Sequence, residues 1–501
     1  MNQLTSRRRW GVLATVAAGL LLITLDNSIL YTALPTLTAE LGATGSQSLW
    51  IINAYPVVMA GLLLGSGTLG DRIGHRRMFL AGLAIFGTAS LLAAFAPDPA
   101  VLIGARALLA VGAAAMMPAT LALVRLTFSI ERERNLALAV WGSIAVVGSA
   151  LGPIVGGLLL TQFWWGSVFL VNVPVVVVAA IATLALTPAD SGDPTKHWDL
   201  LSSLLAMVGL VGAVLTIKEL AHLPQQWGLI AASAATAVVA LTLFVRRQRR
   251  LADPLLEFSV FRNPAFSAGV AGAATAMFAV AGAQLVITQR FQLVEGFEPI
   301  EAGLLVAAVA LGTLPTALLG GALLHRVGLL VLVTGGLGLA TLGTIGLVLA
   351  ARADLLPALV VALVVTGAGL GATMSVASAA IVGNVPARRA GMAASVEEVS
   401  YEFGSLTAVA LLGSLLTLVY SATVRLPAGA PDGAGSSLAD ALAVADGDAA
   451  VIDAAGRAFD SGYLVTLVVI AVVLALGTAV TGRLLRRYTP GTESQAFADN
   501  H

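Results

Sequence analysis

Five ionisable residues of this 501-residue sequence stand inside long apolar runs. Asp26 and Arg106 each stand alone in a run, and Glu397, Glu398 and Glu402 share another. A charge at the centre of a bilayer costs at least about 2.5 to 3.5 kcal/mol, so such residues mark proton relays and ion sites. We predict that Asp26, Arg106, Glu398 and Glu402 take part in proton exchange. The alternative for Asp26 and Arg106 is a structural bond inside the protein core.

The three glutamates fall within two turns of one predicted helix. Glu398 and Glu402 share a helix face, and Glu397 is rotated from Glu398 by about 100°. Because neighbouring carboxylates repel one another, at least one should hold a proton and release it when a cation arrives. We predict that these acids, together with Asp26, bind the substrate. Glu397 and Glu398 are also close enough to the helix start to reach the membrane surface instead.

A glycine-rich stretch in a fourth apolar run combines close packing with a missing hydrogen bond. It consists of Gly148, Gly152, Pro153, Gly156 and Gly157. Glycines four residues apart let a neighbouring helix approach closely, and Pro153 removes one donor from the helix ladder. Packing alone explains this spacing.

A charged connection of eight residues occurs twice in the chain. Residues 67–74 read GTLGDRIG, and residues 321–328, 254 positions later, read GALLHRVG. A repeat of this kind predicts two parallel halves related by an axis along the membrane normal. The first copy continues into Arg76 and Arg77.

The composition requires lipid as the main solvent of the elements that carry these residues. The chain is 58% hydrophobic and 11% charged, whereas soluble domains are about 25% charged. Apolar runs of the length that crosses a bilayer, about 20 residues, recur along it. The absence of cysteine excludes disulfides and thiolate metal sites. The net charge of zero gives no reason to expect a nucleic-acid partner.

We predict an all-α membrane protein with fourteen spans, arranged as two six-helix halves and an inserted pair. The predicted spans are 10–34, 48–70, 78–97, 101–124, 136–160, 167–187, 199–220, 227–245, 264–288, 300–324, 329–351, 357–383, 391–419 and 462–482. The predicted divisions are an N-terminal half (1–190), two inserted helices (191–255), a C-terminal half (256–488) containing an acidic outer connection (421–462), and a tail (489–501).

Lysine and arginine set the predicted orientation, because basic residues in short connections resist translocation. Most of the 27 basic residues fall on one side of the fourteen-span arrangement, together with both chain ends. We therefore expect both termini in the cytoplasm and the protein in a bacterial inner membrane.

The repeated connection resembles the signature G-x-L-x-D-R-x-G-R-[KR] of the major facilitator superfamily, with His75 in place of the first trailing Arg. The fourteen-span form is similar to its drug:proton antiporter branch. The resemblance implies a conformational latch between the halves, formed by Gly67, Asp71, Arg72, Gly74, Arg76 and Arg77. It also implies that the glycine-rich stretch is the motif G-x-x-x-G-P-x-x-G-G of exporters. Arg106 to Gly112 resembles the proton-linked motif R-x-x-x-G-x-G, with Ala110 in place of one glycine.

Three further positions follow from comparison with that branch. Members often carry an acid in span 2 within W-I-x-D-x-Y, where this chain has Asn53 followed by Tyr55, and some carry one in span 10, where this chain has Thr313. We assign Asn53, Tyr55 and Thr313 to the substrate site. Because the cavity would contain fewer acids than in those members, we expect singly charged lipophilic cations as substrates rather than doubly charged ones.

The leading interpretation is a proton-coupled multidrug antiporter that exports hydrophobic, often cationic compounds such as quaternary ammonium antiseptics and dyes. The alternative is an exporter of an endogenous metabolite or lipid. We expect no enzyme activity, no metal, no cofactor beyond the proton gradient, and a monomer. No G-x-x-x-x-G-K-[ST] loop is present, which argues against ATP as the energy source.

Overall fold

The computed structural model describes most of the chain. The described residues are 5–128, 131–188, 192, 199–221, 225–251, 254–385, 390–431, 433–446 and 448–486. The tail predicted at 489–501 lies outside them.

Within these ranges the chain forms sixteen α-helices and no β-strand. They are α1 (Ser6–Leu41), α2 (Gly45–Ile73), α3 (His75–Ala94), α4 (Pro99–Thr127), α5 (Glu131–Gln162), α6 (Ser167–Leu170), α7 (Asn172–Leu186), α8 (Leu200–Ala221), α9 (Trp227–Gln248), α10 (Pro264–Leu293), α11 (Pro299–Leu329), α12 (Gly336–Arg352), α13 (Leu356–Val382), α14 (Ala390–Thr423), α15 (Leu438–Val444) and α16 (Ala449–Leu485). A 3₁₀ turn precedes α10, and a π-helical turn precedes α12.

A helix occupies each of the fourteen predicted span positions. Twelve helical segments of the described chain are long and apolar enough to cross a bilayer. The second span, α2, is bent by 57° between Leu63 and Gly65. In the fifth span, α5, the apolar part that is described runs over Val147–Gln162. The sixth span is divided into α6 and α7, three residues before Pro174, which cannot donate to the helix ladder.

The spans differ in length from the prediction, most of all at the outer connection. The last span was expected to begin at residue 462, but α16 begins at Ala449 and has 37 residues. Its Ala-rich first turns continue the helix because alanine has the highest helix propensity. Ser437 and Asp448 start α15 and α16 by accepting bonds from backbone N–H groups within their first turns.

The helices pack as two halves with a hairpin beside them. In the N-terminal half α1 packs on α5, and α4 packs on α2 and α3; in the C-terminal half α10 packs on α14, and α13 packs on α11 and α12. The halves meet where α5 contacts α11 and where α2 contacts α14. Helices α8 and α9 pair with each other, and α8 lies against both α2 and α14.

The repeated connections have matching backbone geometry. Gly74, after α2, has φ 97°, and Gly328, at the corresponding place near the end of α11, has φ 81°. Both values lie in the region that favours glycine, because a Cβ atom there collides with the backbone. Each glycine therefore turns the chain from one span into the next at the same position of its half.

Candidate functional site

A buried ion pair lies at the centre of the N-terminal half. Arg106 Nη1 of α4 donates to Asp26 Oδ2 of α1 at 2.5 Å, and both side chains are fully buried. Sequence analysis selected both residues separately as proton-exchange candidates, and the structure brings them together. Because each charge is costly to bury alone, each makes the other tolerable in the apolar interior.

Arg106 has further partners on α2. Its Nε donates to the carbonyl oxygen of Ile51 at 3.3 Å, and its guanidinium lies 4.6 Å from the centre of the Tyr55 ring. Its Nη2 is buried and has no hydrogen-bond partner among the described residues. The guanidinium thus retains one donor group for a ligand or for another state of the protein.

Asn172 completes the surroundings of Asp26. Its Nδ2 donates to Asp26 Oδ1 at 2.8 Å and to Ser90 Oγ of α3 at 3.2 Å. Asn172 and Ser90 are fully buried. Sequence analysis assigned neither residue a role. The available signal was a polar amide two residues before a proline inside an apolar span.

The three acids of α14 lie on the C-terminal side of the same region. Glu402 is within electrostatic reach of Arg106, Tyr31 and Tyr55, and its Oε2 is buried with no hydrogen-bond partner in the described part of the chain. Glu397 accepts a long bond, 3.4 Å, from the Tyr401 hydroxyl. The ion pairs found among the described residues include none of the three acids.

Two of the three remaining predicted substrate residues lie on α2 and are fully buried. Both polar atoms of the Asn53 amide and the Tyr55 hydroxyl have no hydrogen-bond partner within the described ranges. Thr313 differs, because its hydroxyl is engaged with the carbonyl oxygens of Val309 and Gly367, at the contact of α11 with α13. The structure thus uses the Thr313 hydroxyl in helix packing.

The glycine-rich stretch of α5 packs against two helices. A Cβ atom at Gly148, Gly152 or Gly156 would meet side chains or backbone of α1, and one at Gly157 would meet the backbone of Ile300 in α11. Pro153 leaves the Ser149 carbonyl without its helical donor, and Ser28 Oγ of α1 donates to that oxygen at 2.6 Å. The motif therefore joins α1, α5 and the C-terminal half at close range.

The hydrogen bonds of the predicted latch residues Asp71 and Arg76 lie within the N-terminal half, whereas Gly67 lies close to Ser395 of α14. Asp71 bonds to His75 Nε2 at 3.1 Å, and Arg76 donates to the Leu184 carbonyl at the end of α7. Arg72 and Arg77 are exposed, and the Arg72 carbonyl lies against Gly192. Arg76 thus stabilises a helix C-terminus, where unpaired carbonyls attract a cation. The latch itself stays a prediction for another conformation.

The halves are joined at the end distant from the chain termini. The Tyr31 hydroxyl of α1 shares a hydrogen bond with Ser405 of α14 at 3.2 Å, and Gln292 of α10 donates to the Thr32 carbonyl at 3.0 Å. The close approach of Gly157 to Ile300 lies at the same end. These contacts connect the two halves at that end.

The hairpin is anchored near the other end by a polar cluster. Asp199 binds Arg247 of α9 at 3.0 Å and accepts a bond from Ser202 of α8 at 2.5 Å. Gln248 donates to Ser202 and accepts from the Leu256 amide, which connects the hairpin to the next segment. Partial burial raises the pKa of Asp199, but the bonds from Arg247 and Ser202 outweigh it and hold that pKa below its ordinary value.

Comparison with known proteins agrees with this architecture. The chain is 38% identical over 496 residues to the multidrug efflux pump LfrA of Mycolicibacterium smegmatis, covering 96% of this chain and 97% of that protein. It is 34% identical over 469 residues to the methyl viologen resistance protein SmvA of Salmonella typhimurium, covering 92% of this chain and 95% of that protein.

The fold and the family are likewise matched. A crystal structure of a bacterial homolog of the human lysosomal transporter Spinster, in an inward-facing conformation, superposes with a TM-score of 0.67 at 16% identity, over 97% of this chain and 100% of that one. The predicted all-α membrane fold is confirmed. The family model of the Major Facilitator Superfamily matches residues 16–286 and 264–429. The chain is therefore a multi-span transporter of the Major Facilitator Superfamily.

Proposed function

We propose that this protein is a proton-coupled exporter of hydrophobic, often cationic compounds, such as quaternary ammonium antiseptics and dyes. The observation that carries the proposal is the contrast between a paired acid, Asp26, and the acids of α14, which have no ion-pair partner within the described residues. The acids of α14 are partly buried, and the buried Oε2 of Glu402 favours either a proton on that carboxyl or a cation that arrives from outside.

Competition between proton and cation at Glu402 gives exchange. With a proton on Glu402 the site is neutral and does not attract a lipophilic cation. When a cation enters, ionised Glu402 becomes its counter-charge, and the proton leaves. Because both occupants use one carboxyl, each turnover couples their opposite movements without a signal over a long distance.

Arg106 interacts with two of the acids, Asp26 and Glu402. Its charge compensates Asp26 directly, and its electrostatic reach extends to Glu402. A proton taken up by Asp26 would release Arg106 to act on Glu402 through its unpartnered Nη2. This sequence links proton binding in one half to cation release from the other.

The setting proposed for this exchange is a bacterial inner membrane with both termini in the cytoplasm. The Arg8 and Arg76 side chains, at the end that holds the N-terminus, donate to carbonyls at the end of α7. This concentration of arginine on one face agrees with the positive-inside rule. The proton gradient is the proposed energy source, and a monomer is the proposed working unit.

The direct test uses purified protein in proteoliposomes with an imposed pH gradient and ethidium as a lipophilic monovalent cation. We expect ethidium transport that stops when an ionophore dissipates the gradient, and an Asp26→Asn variant that folds but no longer responds to the gradient. Transport of equal rate with and without a gradient would overturn proton coupling. Failure to move ethidium or other dyes would favour an exporter of an endogenous compound.

A further inference from the structure

Asn172 is in direct hydrogen-bond contact with Asp26, so its amide can change partners when Asp26 takes up a proton. It is the first residue of α7, directly after the break that separates α6 from α7. Its side chain is fully buried, and its Nδ2 donates to both Asp26 Oδ1 and Ser90 Oγ. Its own Oδ1 is buried and has no hydrogen-bond partner in the described part of the chain.

An unused buried amide oxygen is unusual, because leaving a polar atom unpaired costs stability. Here the cost is understandable if a second state uses that oxygen. An ionised carboxylate only accepts hydrogen bonds, whereas a protonated carboxyl also has an O–H group that must donate. The amide of Asn172 carries both kinds of group and interchanges them by rotation about its last side-chain bond.

We propose that Asn172 is the positioning residue that makes Asp26 a reversible proton site. With Asp26 ionised, Asn172 Nδ2 donates to the carboxylate and to Ser90, as observed. When Asp26 takes up a proton and Arg106 leaves it, the Asn172 amide turns over. Its Oδ1 then accepts from the Asp26 O–H and from the Ser90 hydroxyl, which can donate as well as accept.

This inference rests on the proposed proton-coupled function. The charged and titratable groups that face Asp26 are Arg106 from α4 and Tyr55 from α2, while Glu402 of α14 acts on Arg106. Arg106 has only donor groups, so it cannot accept a hydrogen bond from the protonated form of Asp26. Asn172 supplies that partner, so both protonation states are hydrogen-bonded in a fully buried site.

The test compares two substitutions that separate chemistry from shape. Asn172→Asp keeps the shape of the side chain but replaces the donor with a second acid. Asn172→Leu keeps the approximate volume and removes both polar atoms. Thr183→Val serves as the control, because Thr183 is fully buried in the same helix and, among the described residues, its hydroxyl donates to the Ala179 carbonyl of that helix.

We expect the pH at which ethidium transport is half-maximal to rise by about one unit in both Asn172 variants, because each removes a bond to the ionised form of Asp26. The transport rate should fall at least tenfold in Asn172→Leu, with ethidium affinity within about twofold of the wild type. Thr183→Val should match the wild type. In an Asp26→Asn background, replacing Asn172 should change nothing further.

The outcomes separate this inference from the proposed function. A wild-type pH midpoint in Asn172→Asp, while Asp26→Asn still abolishes coupling, would overturn the role of Asn172 and leave proton-coupled export standing. If Asn172→Leu fails to fold, Asn172→Asp decides alone, since a residue that only maintains the break between α6 and α7 would tolerate this change. A wild-type protein that ignores the gradient would instead remove the basis of both.

Discussion

Two acidic regions face each other across the centre of this transporter, and they are built differently. On the N-terminal side, Asp26 has a bonded partner for each carboxylate oxygen, Arg106 and Asn172. On the C-terminal side, Glu402 has an oxygen without a partner, and α14 has no ion pair to its acids in the described ranges. The charge of Asp26 is neutralised by a residue of the protein, whereas the charge of Glu402 has no such partner among the described residues.

The difference assigns separate tasks to the two halves. A carboxylate held by a buried arginine is costly to disturb, so it changes only when a proton replaces the cation. The protonation state of a carboxyl without a cation changes more easily, and the arrival of a cationic substrate is enough to change it. In the proposed cycle Glu402 exchanges the proton for the cation, and Asp26 with Arg106 makes release of the cation depend on a proton.

The largest expected effect comes from removing the arginine of the paired region. Arg106→Met leaves Asp26 buried without its cation, and breaking a buried pair in this way costs about 3 to 5 kcal/mol. We expect a marked fall in the thermal unfolding temperature of the purified protein and loss of transport. The double variant Asp26→Asn with Arg106→Met should regain most of the stability without regaining coupling. A single variant as stable as the wild type would show that the pair is not what holds this region together.

The second-largest effect is a loss of transport, with little change in the stability of the protein. Glu402→Gln removes a charge that has no ion-pair partner among the described residues, so the unfolding temperature should stay at the wild-type value or rise. Ethidium transport should fall at least tenfold, and transport of a neutral hydrophobic compound should fall much less. Glu40→Gln, an exposed acid near the end of α1, is the matched control and should behave as the wild type. Equal loss for charged and neutral substrates would contradict the assignment of Glu402.

These two regions also show how far the sequence alone leads. The apolar runs predicted the spans, and the rarity of charge in them selected Asp26, Arg106 and Glu402. Pairing of Asp26 with Arg106 was not predictable, because 80 residues and two spans separate them and no periodicity relates their helices. Asn172 was missed for the same reason: its importance comes from what it touches. Thr313 was assigned to the substrate site by position; its hydroxyl donates to the carbonyls of Val309 and Gly367, and the assignment stays a prediction.

A smaller effect is expected at Glu397, the first of the three acids of α14. Tyr401 donates to Glu397 over 3.4 Å, near the limit for a hydrogen bond. Tyr401→Phe should therefore change ethidium affinity by no more than about fivefold, which corresponds to one hydrogen bond of about 1 kcal/mol. Binding to the purified protein measures it. A loss as large as that of Glu402→Gln would mean that Glu397, and not Glu402, is the principal counter-charge.

The smallest effect lies outside both regions, at the anchor of the hairpin. The Asp199 to Arg247 pair is partly exposed, with 37% of the arginine side chain accessible, so Asp199→Asn should cost less than about 1 kcal/mol. Because the pKa of Asp199 is lowered in the folded protein, its contribution is complete above the ordinary value of 3.8 and is lost only as the pH falls through the lowered pKa. Hydrogen exchange of α8 and α9 should therefore differ between variant and wild type by the same factor from pH 5 to pH 8, once the intrinsic exchange rate is corrected. A difference that changed over that interval would mean that another titrating group holds the hairpin. Because the hairpin touches α2 and α14 without contributing an acid to either region, ethidium transport should stay within about twofold of the wild type.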